Sequence, residues 1–135
     1  MKLWKFAIAG AIMGLGTVAL AQDVGKQVKA RQGQMQIVAM NLGVLGGIAK
    51  GEIAYDAETA QRAADSLVGI SMIDQGPLWV EGSDTMSIDG TRALPAIWDN
   101  NAEFMEHWKA YVAAAAAMSE AAGQGQEAIG AAMRD

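Results

Sequence analysis

The sequence predicts an all-α protein, an antiparallel up-down-up-down four-helix bundle with a long crossover loop between the second and third helices. Three observations predict this class. Apolar residues recur at steps of three and four in three long segments. A link of about five residues joins the first two segments, which favours antiparallel neighbours. The stretch from Asp74 to Arg92 lacks that period and is rich in Gly, Ser and Asp, as expected of a crossover.

The N-terminal residues 1–21 are predicted to be a secretory signal peptide. Lys2 and Lys5 flank the start of a long apolar run, and the residues 19–21, Ala-Leu-Ala, fit a small-x-small cleavage site. The run is shorter than the roughly 20 apolar residues that span a bilayer. We therefore expect export, cleavage and a periplasmic domain of residues 22–135 with no stable membrane span.

The expected mature domain is acidic and contains no cysteine. Removing Lys2 and Lys5 leaves eight of the ten basic residues against fifteen acidic ones, a balance of −7. Nucleic acid is excluded as a partner, since phosphate binding needs a basic surface. Without cysteine there is no disulfide, so the fold must be held by packing alone.

The first helix is predicted over residues 23–50, with Gly51 as its stop. Arg31 is the one charged residue on its apolar seam and needs a polar partner to offset its desolvation. Alternatively, its side chain could extend to solvent. The seam consists of Val24, Val28, Arg31, Met35, Val38, Leu42, Leu45 and Ala49.

The second helix is predicted to begin after Asp56, a good N-cap residue. Its apolar line is formed by Ala60, Ala63, Leu67, Ile70 and Ile73. The crossover that follows contains Pro77 and Trp79, and loops of this length in a small domain are often functional.

The third helix is predicted to run from Leu94-Pro95 to Gly123, because proline is acceptable in a first turn. Residues 124–135 then begin a fourth helix that would be only about 15 Å long at 1.5 Å per residue. Such a short helix would cover only part of the length of the other three helices and leave their apolar faces partly uncovered. We therefore expect the fourth helix to be truncated and the domain incomplete at its C-terminus.

The sequence predicts no enzyme. His107 is the only histidine, and it lies beside Glu103 and Glu106 on a predicted solvated face, so no nucleophile–base set can be assembled. The acidic residues show no metal-ligand spacing.

Four segments, taken in order, resemble the class II cytochromes c, the group of cytochrome c' and its low-spin relatives. These segments are ARQGQM, NLGVLGGIAKGEIAYD, PLWVEGSD, and ALPAIW followed by Phe104. The resemblance implies haem c, bound through a CxxCH motif on the fourth helix. The sequence ends before such a motif. A haem-free relative is the alternative to a sequence cut short.

The resemblance also implies which residues meet the haem. Arg31 and Gln32 match positions near the haem propionates. Met35 matches the distal side, where its sulfur would be the sixth iron ligand, although methionine on a seam is also ordinary core filler. Ile70, Trp79 and Trp98 would converge on the same pocket as apolar walls, and Trp98 could equally be core.

The function that the resemblance implies is that of a periplasmic haem protein working in electron transfer with redox partner proteins. Binding of a small gas, nitric oxide or carbon monoxide, would follow if the sixth iron site stayed open. A homodimer through helices 1 and 2 is implied, with Gly43, Gly46 and Gly47 permitting close approach. The alternative is a haem-free helical bundle acting as a binding or structural module.

Overall fold

A computed structural model of the chain describes residues 15–134, with side chains from residue 24 onward. Every regular element in this part of the chain is helical. Most of the expected signal peptide lies outside the described residues. Only residues 15–21 are included, as the first turns of α1.

Helix α1 spans Leu15–Ala49 and ends where the sequence predicts. Gly51 follows it with a φ of 76°, a left-handed conformation that glycine adopts without steric cost. The backbone N–H of Gly51 donates to the carbonyl of Ile48 at 2.9 Å, so the last turn is closed.

Helix α2 spans Ala57–Ser71 and begins as predicted, because the Asp56 side chain accepts a hydrogen bond from the N–H of Thr59 at 2.8 Å. Gln34, midway along α1, donates to Gln75, just beyond α2, at 3.1 Å. Since the link joins the other ends of these helices, α1 and α2 run antiparallel.

The predicted third helix is two helices in the structure. Helix α3 spans Ala96–Asp99 and α4 spans Asn101–Ala122. They are separated at Asn100, whose φ of −130° and ψ of 59° are not helical. Between α2 and α3 the crossover contains a 3-10 turn, Gly76–Leu78. The expectation of one unbroken helix from Leu94 is therefore wrong.

Helix α4 packs antiparallel against α2, and small side chains let the two backbones approach. The hydroxyl of Tyr111 donates to the carbonyl of Leu67 at 2.9 Å, and that of Tyr55 donates to Ala122 at 3.1 Å. The buried residues that α2 and α4 contribute to the core are mostly alanines: Ala60, Ala63, Ala64, Ala115 and Ala122.

Helix α5 spans Gln126–Ala132 and follows a turn at Gly125, where φ is 116°. The amide of Gln126 donates to the carbonyl of Ala49 at 3.4 Å, and Met133 reaches back to Gly46. Helix α5 therefore runs antiparallel to α1 and covers its C-terminal end, where Ile129 is fully buried.

Helices α1 and α4 face each other across an opening. Each packs against α2 and α5, but no Cα atom of α1 comes within 8 Å of one in α4 along their described lengths. The predicted seam is broken as a result: Met35 is 43% exposed and Leu42 is 38% exposed. Gln34, the residue before Met35, is buried at 4% exposure although it was not assigned to the seam.

Candidate functional site

The opening between α1 and α4 contains a cavity of about 820 Å³ at the end where the crossover passes. Helix α1, the crossover, α3 and α4 supply its walls. Among the lining residues are Arg31, Gln32 and Met35 from α1, Trp79 and Arg92 from the crossover, and Phe104 from α4.

Aromatic rings form the apolar wall of the cavity. The rings of Trp79 and Phe104 lie 4.8 Å apart between centroids, tilted by 59°. The Trp79 indole N–H donates to Gln75 at 3.0 Å, and its carbonyl accepts from the indole of Trp98 at 3.0 Å. Trp79 is thereby fixed from both its side chain and its backbone.

Arg31 is 4% exposed and is held entirely by neutral acceptors. One terminal nitrogen donates to the carbonyl of Leu78 at 3.3 Å and to the hydroxyl of Ser83 at 2.7 Å. The other donates to the carbonyl of Ser83 at 2.5 Å and to the hydroxyl of Thr91 at 2.7 Å. The guanidinium carbon also lies 4.6 Å from the centroid of the Trp79 ring, a cation–π contact.

Burial lowers the pKa of Arg31 from its ordinary value, because a charge is less stable away from water. An arginine nevertheless remains protonated in proteins. The fold therefore keeps a positive charge beside the cavity, and the crossover supplies its partners. The sequence prediction that Arg31 needs a polar partner is confirmed, and the alternative of a solvent-extended side chain is wrong.

The last part of the crossover, residues 90–93, is fixed to α1 by neighbouring hydrogen bonds. The amide of Gln32 donates to the carbonyl of Gly90 at 2.7 Å. The Thr91 hydroxyl accepts from Arg31 and also from the backbone N–H of Ala93 at 3.1 Å. Arg92 lies in the middle of this segment and lines the cavity, yet its side chain is exposed.

Met35 lines both this cavity and a smaller one of about 220 Å³ beside it. The smaller cavity is walled by apolar residues that include Val38, Trp108 and Tyr111. A thioether at the junction of the two cavities is accessible, whereas core filler would be enclosed. Met35 is thus available to contact a bound molecule.

The structure brings together four of the six residues predicted to form the site: Arg31, Gln32, Met35 and Trp79. The other two lie outside the cavity lining. Ile70 is buried in α2 at 7% exposure. Trp98 contacts the backbone of Trp79, because its indole N–H donates to the Trp79 carbonyl. Arg92, Thr91 and Gln75 were missed by sequence reasoning, because a crossover without periodicity gives no signal of which side chains turn inward.

His107 lies at the edge of the cavity with its side chain 78% exposed, and its Nε2 is 3.8 Å from a carboxylate oxygen of Glu103. The predicted solvated face is therefore confirmed. No group of three or more His, Asp or Glu residues in the described part of the chain could hold a metal ion. No described helix is long and apolar enough to cross a membrane.

The fold and this cavity define a four-helix-bundle protein with a side cavity lined by aromatic and polar side chains. The model of the family described as "Cytochrome C'" matches residues 26–135. The chain belongs to the cytochrome c' family.

Individual relatives agree with this assignment. The chain is 36% identical to a cytochrome c' of Cereibacter sphaeroides over 129 residues, which are 96% of this chain and 87% of that relative. It is 38% identical to cytochrome c-554 of the same species, covering 87% of this chain and 78% of that one.

Solved structures show the same fold. The solved structure titled "Cytochrome c' from Rhodobacter Spheriodes" matches with a TM-score of 0.80 and 36% identity, over 82% of this chain and 85% of that one. Cytochrome c' from Thermochromatium tepidum matches with a TM-score of 0.72 over the same shares; at 24% identity it supports the fold alone. The predicted fold class and family resemblance are confirmed.

Proposed function

We propose that this chain is the haem-binding bundle of a periplasmic class II cytochrome c, an electron carrier rather than an enzyme. The observation that carries the proposal is the cavity between α1 and α4, in a chain of the cytochrome c' family. Its volume of about 820 Å³ lies within the range of small-molecule and cofactor sites.

The residues present fit the sides of a porphyrin. Trp79 and Phe104 offer apolar ring surfaces against which a flat macrocycle could pack. Arg31, Gln32 and Arg92 place polar and charged groups at one part of the same cavity. The 135 residues contain no cysteine, so thioether attachment would need residues outside them.

Met35 is the residue that we assign to the iron. Haem would supply reversible one-electron chemistry when bound, and a sulfur ligand from Met35 would raise its reduction potential. Met35 lines the cavity from α1 and is accessible, which supports this role. If Met35 does not bind iron, the proposed function is instead the binding of nitric oxide or carbon monoxide.

The proposed setting is the periplasm, with a redox protein as electron partner and a homodimer formed through α1 and α2. The outer surface of α1 supports a dimer in part. Gly43 has no atom within 4 Å of where a Cβ would stand, so it is open to a partner. Gly46 and Gly47 are covered by Met133 and Ile53 of the same chain, and we leave them out of the proposed interface.

The test is an absorption spectrum of the full chain titrated with Fe(III) protoporphyrin IX. We expect a saturable Soret change. Met35→Leu should alter the spectrum of the bound haem and lower its reduction potential, because leucine cannot ligate iron. Met40→Leu is the matched control, since Met40 is on α1 but 71% exposed and does not line the cavity.

Two results would contradict the proposal. A folded wild-type chain that gives no saturable Soret change would favour the haem-free bundle, the second candidate, which the lack of cysteine supports. If Met35→Leu left the spectrum and the reduction potential of the bound haem unchanged, Met35 would not be an iron ligand, although the chain would still bind haem.

A further inference from the structure

Two arginines line the same cavity, and their surroundings differ in a way that separates their roles. We propose that Arg92 binds the carboxylate groups of the ligand, while Arg31 acts as a positioning residue that fixes the crossover to α1. This inference rests on the proposed function, since it concerns the acid groups of haem. It assigns the carboxylate contact to Arg92, which the sequence analysis did not predict as a site residue.

Arg31 has little capacity left for an anion. Its two terminal nitrogens carry four N–H groups, and the structure gives four hydrogen bonds from them to Leu78, Ser83 and Thr91. Only the Nε–H is left. An incoming carboxylate would have to break existing bonds to obtain the two parallel hydrogen bonds that make arginine a strong carboxylate binder.

Arg92 has the opposite environment. Its side chain is exposed, lines the cavity, and makes no hydrogen bond or ion pair within the part of the chain that the structure describes. All five of its N–H donors are therefore free to meet an acid group.

The backbone that carries Arg92 is nevertheless held in place. Gln32 binds Gly90, Arg31 binds Thr91, and the N–H of Thr85 donates to the carbonyl of Ala93 at 2.8 Å. A free guanidinium on a fixed backbone loses less entropy on binding than one on a loose loop. Arg31 thus contributes to carboxylate binding indirectly, by holding the residue next to Arg92.

The one described carboxylate that lines the cavity lies on α4. Glu103 accepts a hydrogen bond from the side chain of Asn100 at 2.6 Å and lies 3.8 Å from His107. Its negative charge disfavours a ligand acid group beside α4. The crossover side, with Arg92, is the favourable one.

The experiment compares two probes, Fe(III) protoporphyrin IX and its dimethyl ester, which lacks the negative charges. Binding of each to the full chain is measured by Soret titration. Arg92→Gln should weaken binding of the free acid roughly five- to tenfold and leave the ester unchanged, as expected for one exposed charge-assisted contact. Raising the ionic strength should reduce the difference between wild type and variant.

Arg62→Gln is the matched control, because Arg62 is an exposed arginine of α2 that pairs with Glu58 away from the cavity. It should change neither affinity. Arg31→Lys should weaken both probes by the same factor, since it loosens the wall without removing the charge. In the absence of ligand, amide hydrogen exchange over residues 76–93 should be faster in Arg31→Lys than in the wild type. This measurement tests the positioning role independently of binding.

Three results would overturn the assignment. If Arg92→Gln weakened binding of the free acid and the ester equally, or weakened neither, Arg92 would not contact the carboxylates. If Arg31→Lys weakened binding of the free acid but not of the ester, Arg31 rather than Arg92 would make the carboxylate contact. Failure of the wild-type chain to bind either probe would instead refute the proposed function, and this inference with it.

Discussion

At the scale of single residues, hydrogen bonds to aspartates contribute to the stability of this bundle. Hydrogen bonds from Thr59 lower the pKa of Asp56. Bonds from Ser119 and then Gln61 lower the pKa of Asp65, joining α2 to α4. The hydroxyl of Ser87 is the main cause of the lowered pKa of Asp84 in the crossover. Each carboxylate is thus more stable ionised in the folded state than in the unfolded chain.

We therefore expect acid to destabilise the fold. A carboxylate with a lowered folded pKa contributes its full stability above the unfolded value of 3.8 and loses it as the pH falls through the folded pKa. The free energy of unfolding in urea should be nearly constant from neutral pH to about pH 5 and fall below about pH 4.

The combined variant Asp56→Asn, Asp65→Asn and Asp84→Asn should be less stable than wild type at neutral pH and flatten this fall. Asp89→Asn is the control, because the side chain of Asp89 makes no hydrogen bond with a described residue. A pH profile of the triple variant as steep as that of wild type would contradict the account.

Residue-scale prediction from sequence worked where the chemistry is local. The cap at Asp56 and the glycine after α1 were predicted because each depends on neighbours in the chain. The partners of Arg31 were not, since Ser83 and Thr91 lie 52 and 60 residues away. A seam pattern shows that a buried arginine needs acceptors but does not say which loop supplies them.

At the scale of elements, the contact between α2 and α4 depends on alanine. Ala60 and Ala64 of α2 and Ala122 of α4 are fully buried in the shared core. The hydroxyl of Tyr111 on α4 also donates to the carbonyl of Leu67 on α2.

Ala64→Leu should therefore destabilise the protein by about 1–3 kcal/mol, the usual cost of overpacking a tight core. Thermal unfolding followed by circular dichroism would measure it. Ala114→Leu, at an exposed position of α4, is the matched control and should be close to neutral. A stabilised Ala64→Leu protein would mean that the helices are loosely packed here.

Sequence periodicity predicted the helices better than it predicted which residues they bury. The long first helix and the cap of the second follow from spacing and N-cap chemistry. Met35 and Leu42 were assigned to the seam but are exposed, because no described segment covers α1 there. The break at Asn100 was missed because the apolar seam was traced across it, although Asp99, Asn100 and Asn101 favour caps and turns over helix interiors.

At the scale of the whole molecule, the outer surface of α1 carries apolar side chains that the fold leaves in solvent. Ile37 is 46% exposed and Met40 is 71% exposed, next to the open position at Gly43. At the end of α2, Met72 is 80% exposed. Exposed apolar side chains that cluster are typical of protein–protein contacts.

This surface makes the proposed homodimer testable. We expect light scattering at micromolar concentration to give twice the monomer mass, and Met40→Lys to give a monomer, because a buried lysine would lack a partner. Met86→Lys is the control, since Met86 is 83% exposed and belongs to the crossover rather than to α1 or α2. A monomeric wild-type protein would contradict the prediction.

The arrangement in which α1 and α4 meet only through their neighbours has a mechanical consequence. The gap between them is set by α2 and α5, the two helices that pack against both. Slightly larger or smaller side chains at Ala60 or Ala64 would widen or narrow that gap without altering any residue that lines it. Evolution could therefore adjust what the cavity accepts from the far side of the molecule.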